Sequence, residues 1–141
     1  MTDEERRAIE ADCERLIKRY VNLNDAQDWP AVAALYTENA VFRRPSGGDA
    51  IVGREAILAS LLARPPRVQR HVIANVVVDV EDEDHARAFS VIVLYQGDPL
   101  PEGLPAMSAS SPLVGTFADQ LVRTRDGWRF AERLGALDFA P

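Results

Sequence analysis

The chain has 141 residues, a formal net charge of −6, 47% hydrophobic residues and 27% charged residues. This ordinary globular composition suits one domain with a sizeable core and excludes a disordered chain. One cysteine and two histidines exclude a disulfide framework and a cysteine- or histidine-rich metal centre, and the acidic balance argues against nucleic-acid and anionic-membrane partners.

No apolar run approaches the roughly 20 residues of a membrane span. Met1-Thr2-Asp3-Glu4-Glu5 is acidic where a signal peptide would be basic and then apolar, so a cytoplasmic protein is expected.

Thr2 followed by Glu5 forms a capping-box pattern. Ile9, Cys13, Leu16, Ile17, Tyr20 and Val21 then recur at three- and four-residue spacing, which predicts a helix over 3–23 with one apolar stripe. Its opposite face is charged with mixed signs and reads as solvated. Asp28 is a good N-cap, and Pro30 falls in the first turn of a second helix predicted from Trp29 to Tyr36. Ala40 to Arg44 reads as a short strand stopped by Pro45 and Gly47-Gly48. Gly53 opens a third helix with apolar positions Ile57, Leu58, Leu61 and Leu62, ended by Pro65-Pro66.

From there the period changes from about 3.6 to 2. Val68 to Val80, Ala86 to Gln96, Leu113 to Thr124 and Trp128 to Leu137 read as strands. Glu81-Asp82-Glu83-Asp84 joins the first pair and reads as a wet turn; Arg125-Asp126-Gly127 joins the last pair as a tight hairpin. The Pro- and Ser-rich segment 98–112 is either a lid over a site or a plain crossover. Its Ser108, Ser110 and Ser111 carry no mark of a nucleophile. Three helices followed by long strands predict one α+β domain over 1–141, with helices on one face of a curved, mainly antiparallel sheet.

Strict alternation puts His71, Ile73, Asn75, Val77 and Asp79 on one side of the first long strand, and Val72, Ala74, Val76, Val78 and Val80 on the other. The next strand sets Phe89, Val91, Val93 and Tyr95 against Ala88, Ser90, Ile92 and Leu94. Two largely apolar faces need two covers. The helices cover one. A second copy of the chain, in a homodimer, is expected on the other; the segment from Ala136 to Pro141 is the short alternative.

A histidine inside an apolar strand is either a core histidine with a hydrogen-bond partner or a general acid/base at the floor of a pocket. Asp25 either caps the turn after the first helix or points inward at His71. An Asp–His pair orients the imidazole, fixes its tautomer and raises its basicity. It suits isomerisation, dehydration or cyclisation of a small apolar, oxygenated ring compound, and it requires no metal or cofactor. Tyr20, Tyr36 and Asn75 are candidate donors to a developing oxyanion, and Phe42, Trp29 and Ser90 complete the candidate substrate-binding set. Cys13 reads as packing, His85 as a turn residue, and Asp119 and Arg133 as a structural ion pair across the last hairpin. No dinucleotide, P-loop or nucleophile-elbow pattern is present.

The ordered series Tyr20…Asn24-Asp25-Ala26-Gln27-Asp28-Trp29, Leu35-Tyr36…Asn39-Ala40-Val41-Phe42, Val52-Gly53-Arg54-Glu55-Ala56-Ile57, Arg70-His71-Val72-Ile73-Ala74-Asn75 and Phe117-Ala118-Asp119…Asp126-Gly127-Trp128-Arg129-Phe130…Arg133 resembles the SnoaL-like branch of the nuclear-transport-factor-two-like superfamily. The resemblance spans nearly the whole chain apart from 98–112. It implies a cone-like barrel, a curved sheet wrapped on three N-terminal helices with an apolar pocket open at one end, and dimers formed through the outer sheet face. The superfamily includes ketosteroid isomerases, scytalone dehydratase, polyketide cyclases, small subunits of ring-hydroxylating dioxygenases and non-catalytic binding domains. Asp25 and His71 resemble an active-pocket pair of scytalone dehydratase. Asn24 stands where that family has a tyrosine, and the strand 88–91 lacks its second pocket histidine. The resemblance thus implies a lyase or isomerase, with a non-catalytic binding domain or an oxygenase accessory subunit as the alternatives.

Overall fold

The computed structural model describes residues 1–107 and 111–140. Three helices precede the long strands: α1 (Asp3–Asp25), α2 (Trp29–Ala33) and α3 (Arg54–Leu62). Six strands, β1 (Tyr36–Arg43), β2 (Ile51–Val52), β3 (Val68–Val80), β4 (His85–Gly97), β5 (Leu113–Thr124) and β6 (Gly127–Phe139), form one sheet in the order β2-β1-β6-β5-β4-β3. Every neighbouring pair is antiparallel except β1 and β6, which run parallel. The sheet is open, with β2 and β3 at its edges. Among the described residues no helix is long and apolar enough to cross a membrane.

α1 starts on the expected capping box: Thr2 Oγ1 accepts from the Glu5 amide at 3.1 Å, and Glu5 accepts from the Thr2 amide at 2.7 Å. Its stripe from Ile9 to Val21 is buried and packs against β3 and β6. The helix runs two residues past the predicted end, because Asn24 continues the stripe and is buried. It then stops on a Schellman arrangement, with the Gln27 amide donating to the Asn24 carbonyl and the Asp28 amide to the Leu23 carbonyl. Gln27 occupies the left-handed position at φ 59 that glycine usually fills, and its side chain is tied to the Arg67 carbonyl at 2.7 Å. Asp25 is therefore the last helical residue, set at the lower edge of the sheet.

α2 is shorter than predicted. Asp28 caps it through the Ala31 amide, but Leu35 and Tyr36 leave the helix to pair with β6. The Leu35 carbonyl accepts from the Phe130 amide at 2.9 Å, and β1 consequently begins four residues earlier than the expected strand. α3 buries Ile57 and Leu61, whereas the expected Leu62 is exposed.

A bulge overturns strict alternation in β3. Ala74 pairs with Val91 and Val77 with Phe89, so β3 carries one extra residue there. Asn75 takes up the extra residue at φ 51, a conformation asparagine tolerates better than most side chains. Before the bulge Gln69, His71 and Ile73 face inward; after it Val76, Val78 and Val80 do. Asn75 is exposed and does not share a face with His71, and Val77 likewise turns outward. Further register breaks between β1 and β6 and between β5 and β6 help curve the sheet around α1.

Among the described residues nothing covers the outer face around Val72, Val77 and Phe89, while Ala106 and Met107 lie against β4 at Gly97. Val72, Val77, Phe89 and Tyr95 are each about half exposed there. Ala136 to Phe139 remains in β6, so the C-terminal segment does not fold over that face. Among its described residues, segment 98–112 contains a 3-10 turn at Pro101–Gly103; residues 108–110, including Ser108 and Ser110, lie outside the described residues.

Candidate active site

His71 and Asp25 meet. The carboxylate of Asp25 can only accept, so the His71 ring donates from Nδ1 to Oδ1 at 2.5 Å. The His71 amide donates to Oδ2 at 2.9 Å, and Arg70 Nη1 stands 3.6 Å from the same oxygen. Both carboxylate oxygens are thus engaged by one residue, which locks the imidazole in position and tautomer. The Asp25 side chain is 3% exposed and that of His71 12%. A carboxylate at a helix C-terminus faces the negative end of the helix dipole, and α1 has no basic residue in its last turn. That mismatch, readable in the sequence, is a signal that Asp25 serves something other than its own helix.

His71 lines a cavity of about 280 Å³ between α1, the end of α3 and the inner sheet face. With Nδ1 committed to Asp25, Nε2 is the ring nitrogen left for that cavity. Phe42, Ile92, Leu94, Phe117 and Leu137 form its apolar wall. Tyr20, Asn24, Arg44, Arg64, Gln69 and Gln96 supply polar groups. The volume sits at the small end of the range of about 300–1,000 Å³ for small-molecule sites.

Tyr20 belongs to both cavity and core. Its hydroxyl is 2.7 Å from that of Tyr36, and either can be the donor. Burial pushes both phenol pKa values up, that of Tyr36 well above the usual range, so both are neutral donors. Behind Tyr20 lies the Asp119–Arg133 pair, with Nε 3.6 Å from Oδ1 and both side chains fully buried. The guanidinium carbon of Arg133 lies 4.3 Å from the Tyr20 ring centroid, 3.8 Å from that of Phe117 and 4.5 Å from that of Phe130. A desolvated cation over an aromatic face gains about 2 kcal/mol or more. Arg133 therefore holds two cavity-lining rings, Tyr20 and Phe117, from behind. Burial pushes the Asp119 carboxyl up to about 6 against the opposing pull of Arg133.

Of the other expected site residues, only Tyr20 and Phe42 join His71 at the cavity. Tyr36 is buried behind Tyr20, and Ser90 is buried with its hydroxyl unpartnered among the described residues; neither lines the cavity. Trp29 lies under Arg64, whose guanidinium carbon is 5.4 Å from the ring centroid. Asn75 is on the outer face. Cys13 is buried in α1, and burial pushes its thiol up to about 12, so it is packing. His85 is the first residue of β4, not of the turn, and is held by Asp82 at 2.9 Å. Among the described residues no cluster of three His, Cys, Asp or Glu side chains could hold a metal ion.

Gln69, Gln96, Arg44 and Arg64 are among the cavity residues that the sequence reading does not assign to the site. Parity along β3 and β4 places Gln69 with His71 and Gln96 with Leu94, a signal the alternation already contained. Arg44 reads only as the end of the strand before Pro45, and Arg64, just before Pro65-Pro66, is assigned no role.

A family model described as the SnoaL-like domain matches residues 5–134. No curated protein matches the sequence. Similar solved structures include a candidate scytalone dehydratase from Novosphingobium aromaticivorans, 18% identical, with TM-score 0.81 over 98% of this chain and 89% of that one. A ketosteroid isomerase-like protein from Erwinia carotovora atroseptica is 21% identical, with TM-score 0.73 over 92% of this chain and 96% of that one. A candidate aromatic ring hydroxylase from Novosphingobium aromaticivorans is 19% identical, with TM-score 0.74 over 92% and 89% respectively. At these identities the likenesses establish the fold.

Proposed function

The chain belongs to the SnoaL-like domain family, whose fold includes isomerases and dehydratases, and from that premise we propose that it moves a proton on an apolar, oxygenated ring compound by His71–Asp25 general acid/base catalysis. The observation that carries this reading is the clamp on the imidazole: Asp25 takes Nδ1–H and the His71 amide while the same residue lines the cavity. Nε2 then accepts a proton from a carbon acid of the ligand and returns it to another position or to a leaving hydroxyl. Asp25 stabilises the imidazolium formed in between. Tyr20, relieved of its own donor duty when Tyr36 donates to it, offers its proton to the oxygen on which charge develops. The chemistry runs on these side chains alone. A second copy of the chain on the outer sheet face completes the proposal, since among the described residues nothing covers Val72, Val77 and Phe89.

Proton abstraction can be tested without the natural substrate. In D2O the protein should accelerate deuterium incorporation next to the carbonyl of 2-tetralone, a bicyclic ketone. His71→Ala should lose about 10²-fold or more of that acceleration with circular dichroism unchanged. Equal exchange by wild type and His71→Ala, including no acceleration by either, would leave the pocket as a binding site without chemistry.

A further inference from the structure

The same cavity has a charge pattern that proton transfer does not use. Arg44 and Arg64 both stand in its wall, and no aspartate or glutamate lines it, in a chain whose net charge is −6. Among the described residues neither arginine has a carboxylate within ion-pair distance. Each guanidinium carries five donors. Arg44 gives Nη2 to the Ser60 carbonyl at 3.3 Å, while its Nε is shielded from solvent and unpartnered among the described residues. Arg64 gives Nη1 to Asn24 Oδ1 at 3.4 Å and rests on Trp29.

Two cations beside an apolar wall are unfavourable to each other. Burial, and more weakly Arg44, pulls the Arg64 guanidinium below its ordinary value. Among the described residues no carboxylate compensates them at the cavity, whereas the buried Arg133 has Asp119. A planar ligand carboxylate would match the guanidinium fork, neutralise the pair and take up idle donors. Both positions are held by the scaffold: Arg44 by its bond to α3 and by Pro45, which rests on Gly135, and Arg64 by Trp29 and Asn24.

Resting on the reading of this cavity as the substrate site, we propose that the substrate is an apolar ring compound bearing a carboxylate, selected by Arg44 and Arg64. Binding of 2-naphthoate and of its neutral methyl ester, followed by isothermal titration calorimetry, tests it. The acid should bind about tenfold or more tighter than the ester. Arg44→Gln and Arg64→Gln should each erase most of that preference, read as the ratio of acid to ester affinity within each variant. Should either glutamine variant fail to fold by circular dichroism, Arg44→Lys and Arg64→Lys keep the charge without the fork and should retain only part of the preference. His71→Ala should keep the preference whether or not it abolishes exchange on 2-tetralone, which separates this inference from the catalytic one. Equal affinity for acid and ester, no measurable binding of either, or a preference lost in His71→Ala and kept in both arginine variants would overturn it.

Discussion

Asp25 closes α1 and accepts twice from His71, once from the ring Nδ1 at 2.5 Å and once from the amide at 2.9 Å. The two contacts come from one residue of β3, so helix end and strand are fixed to each other through the group that would do the chemistry. The expected consequence is a single imidazole tautomer, with hydrogen on Nδ1 and a bare Nε2. Long-range 1H–15N correlation spectra at pH 8 should show that pattern for His71. In Asp25→Asn the amide can present either oxygen or nitrogen, and the tautomer preference should weaken, with a loss of about 1–3 kcal/mol in stability. A wild-type ring protonated on Nε2 alone would sink the arrangement.

How far the sequence carried can be seen at four places. The His71–Asp25 pairing was legible because an imidazole in an apolar strand needs a partner and the end of α1 supplied the nearest acid. Asn75 was misplaced because a single left-handed residue shifts parity by one, and no local signal distinguishes such an asparagine from one in regular alternation. Tyr36 was assigned to a helix because helical spacing from Trp29 fits it; its parallel pairing with Phe130 comes from a strand nearly a hundred residues away. Arg44 and Arg64 are charged residues at element ends, the usual place for solvated side chains, and only the tertiary fold turns them onto one cavity.

The buried pair behind Tyr20 predicts an unusual pH dependence. Burial raises the Asp119 carboxyl to about 6, above the roughly 4 of an unfolded aspartate. Between those values the folded state holds more protons than the unfolded one, so this group's contribution to stability is intact below about pH 4 and is lost as pH rises through about 6. Asp119→Asn mimics the protonated form at every pH. The unfolding free energy of wild type minus that of Asp119→Asn, from urea titrations, should therefore fall by roughly 2–3 kcal/mol between pH 4 and 8. A difference that rises with pH would show that attraction to Arg133 at 3.6 Å outweighs the desolvation of the carboxylate.

The outer sheet face predicts an oligomer. Val77 and Phe89 are direct cross-strand partners, 55% and 47% exposed, with Val72, Ala74, Val91 and Val93 beside them on paired positions. Arg70, Asp79 and Arg87 rim this patch on the same strands. An apolar centre with a polar rim is the anatomy of an interface between like subunits. Sedimentation equilibrium at micromolar concentration should give twice the mass of the chain. Val77→Asp combined with Phe89→Asp should give a monomer with unchanged far-ultraviolet circular dichroism. A wild type that sediments as a monomer removes the second copy from the proposal.

Gly135 decides whether the mouth of the cavity can form. A Cβ at this position would stand 2.6 Å from Cγ and N of Pro45 and 2.7 Å from its Cδ. Real side chains do not approach that closely, and a proline ring joined to the backbone has little freedom to give way. Pro45 and its neighbours Arg44 and Ser46 line the cavity, so Gly135→Ala should lift the whole segment off β6. Overpacking of this kind costs about 1–3 kcal/mol, seen as a drop of several degrees in melting temperature. Gly103→Ala is the control: at φ +68 it adds backbone strain, but its Cβ meets nothing within 4 Å, and it lies outside the cavity wall. Both variants should lose stability, while only Gly135→Ala should weaken 2-naphthoate binding, by about tenfold if Arg44 moves with Pro45. Unchanged naphthoate affinity in Gly135→Ala would mean that the contact between Pro45 and β6 does not hold Arg44 at the cavity.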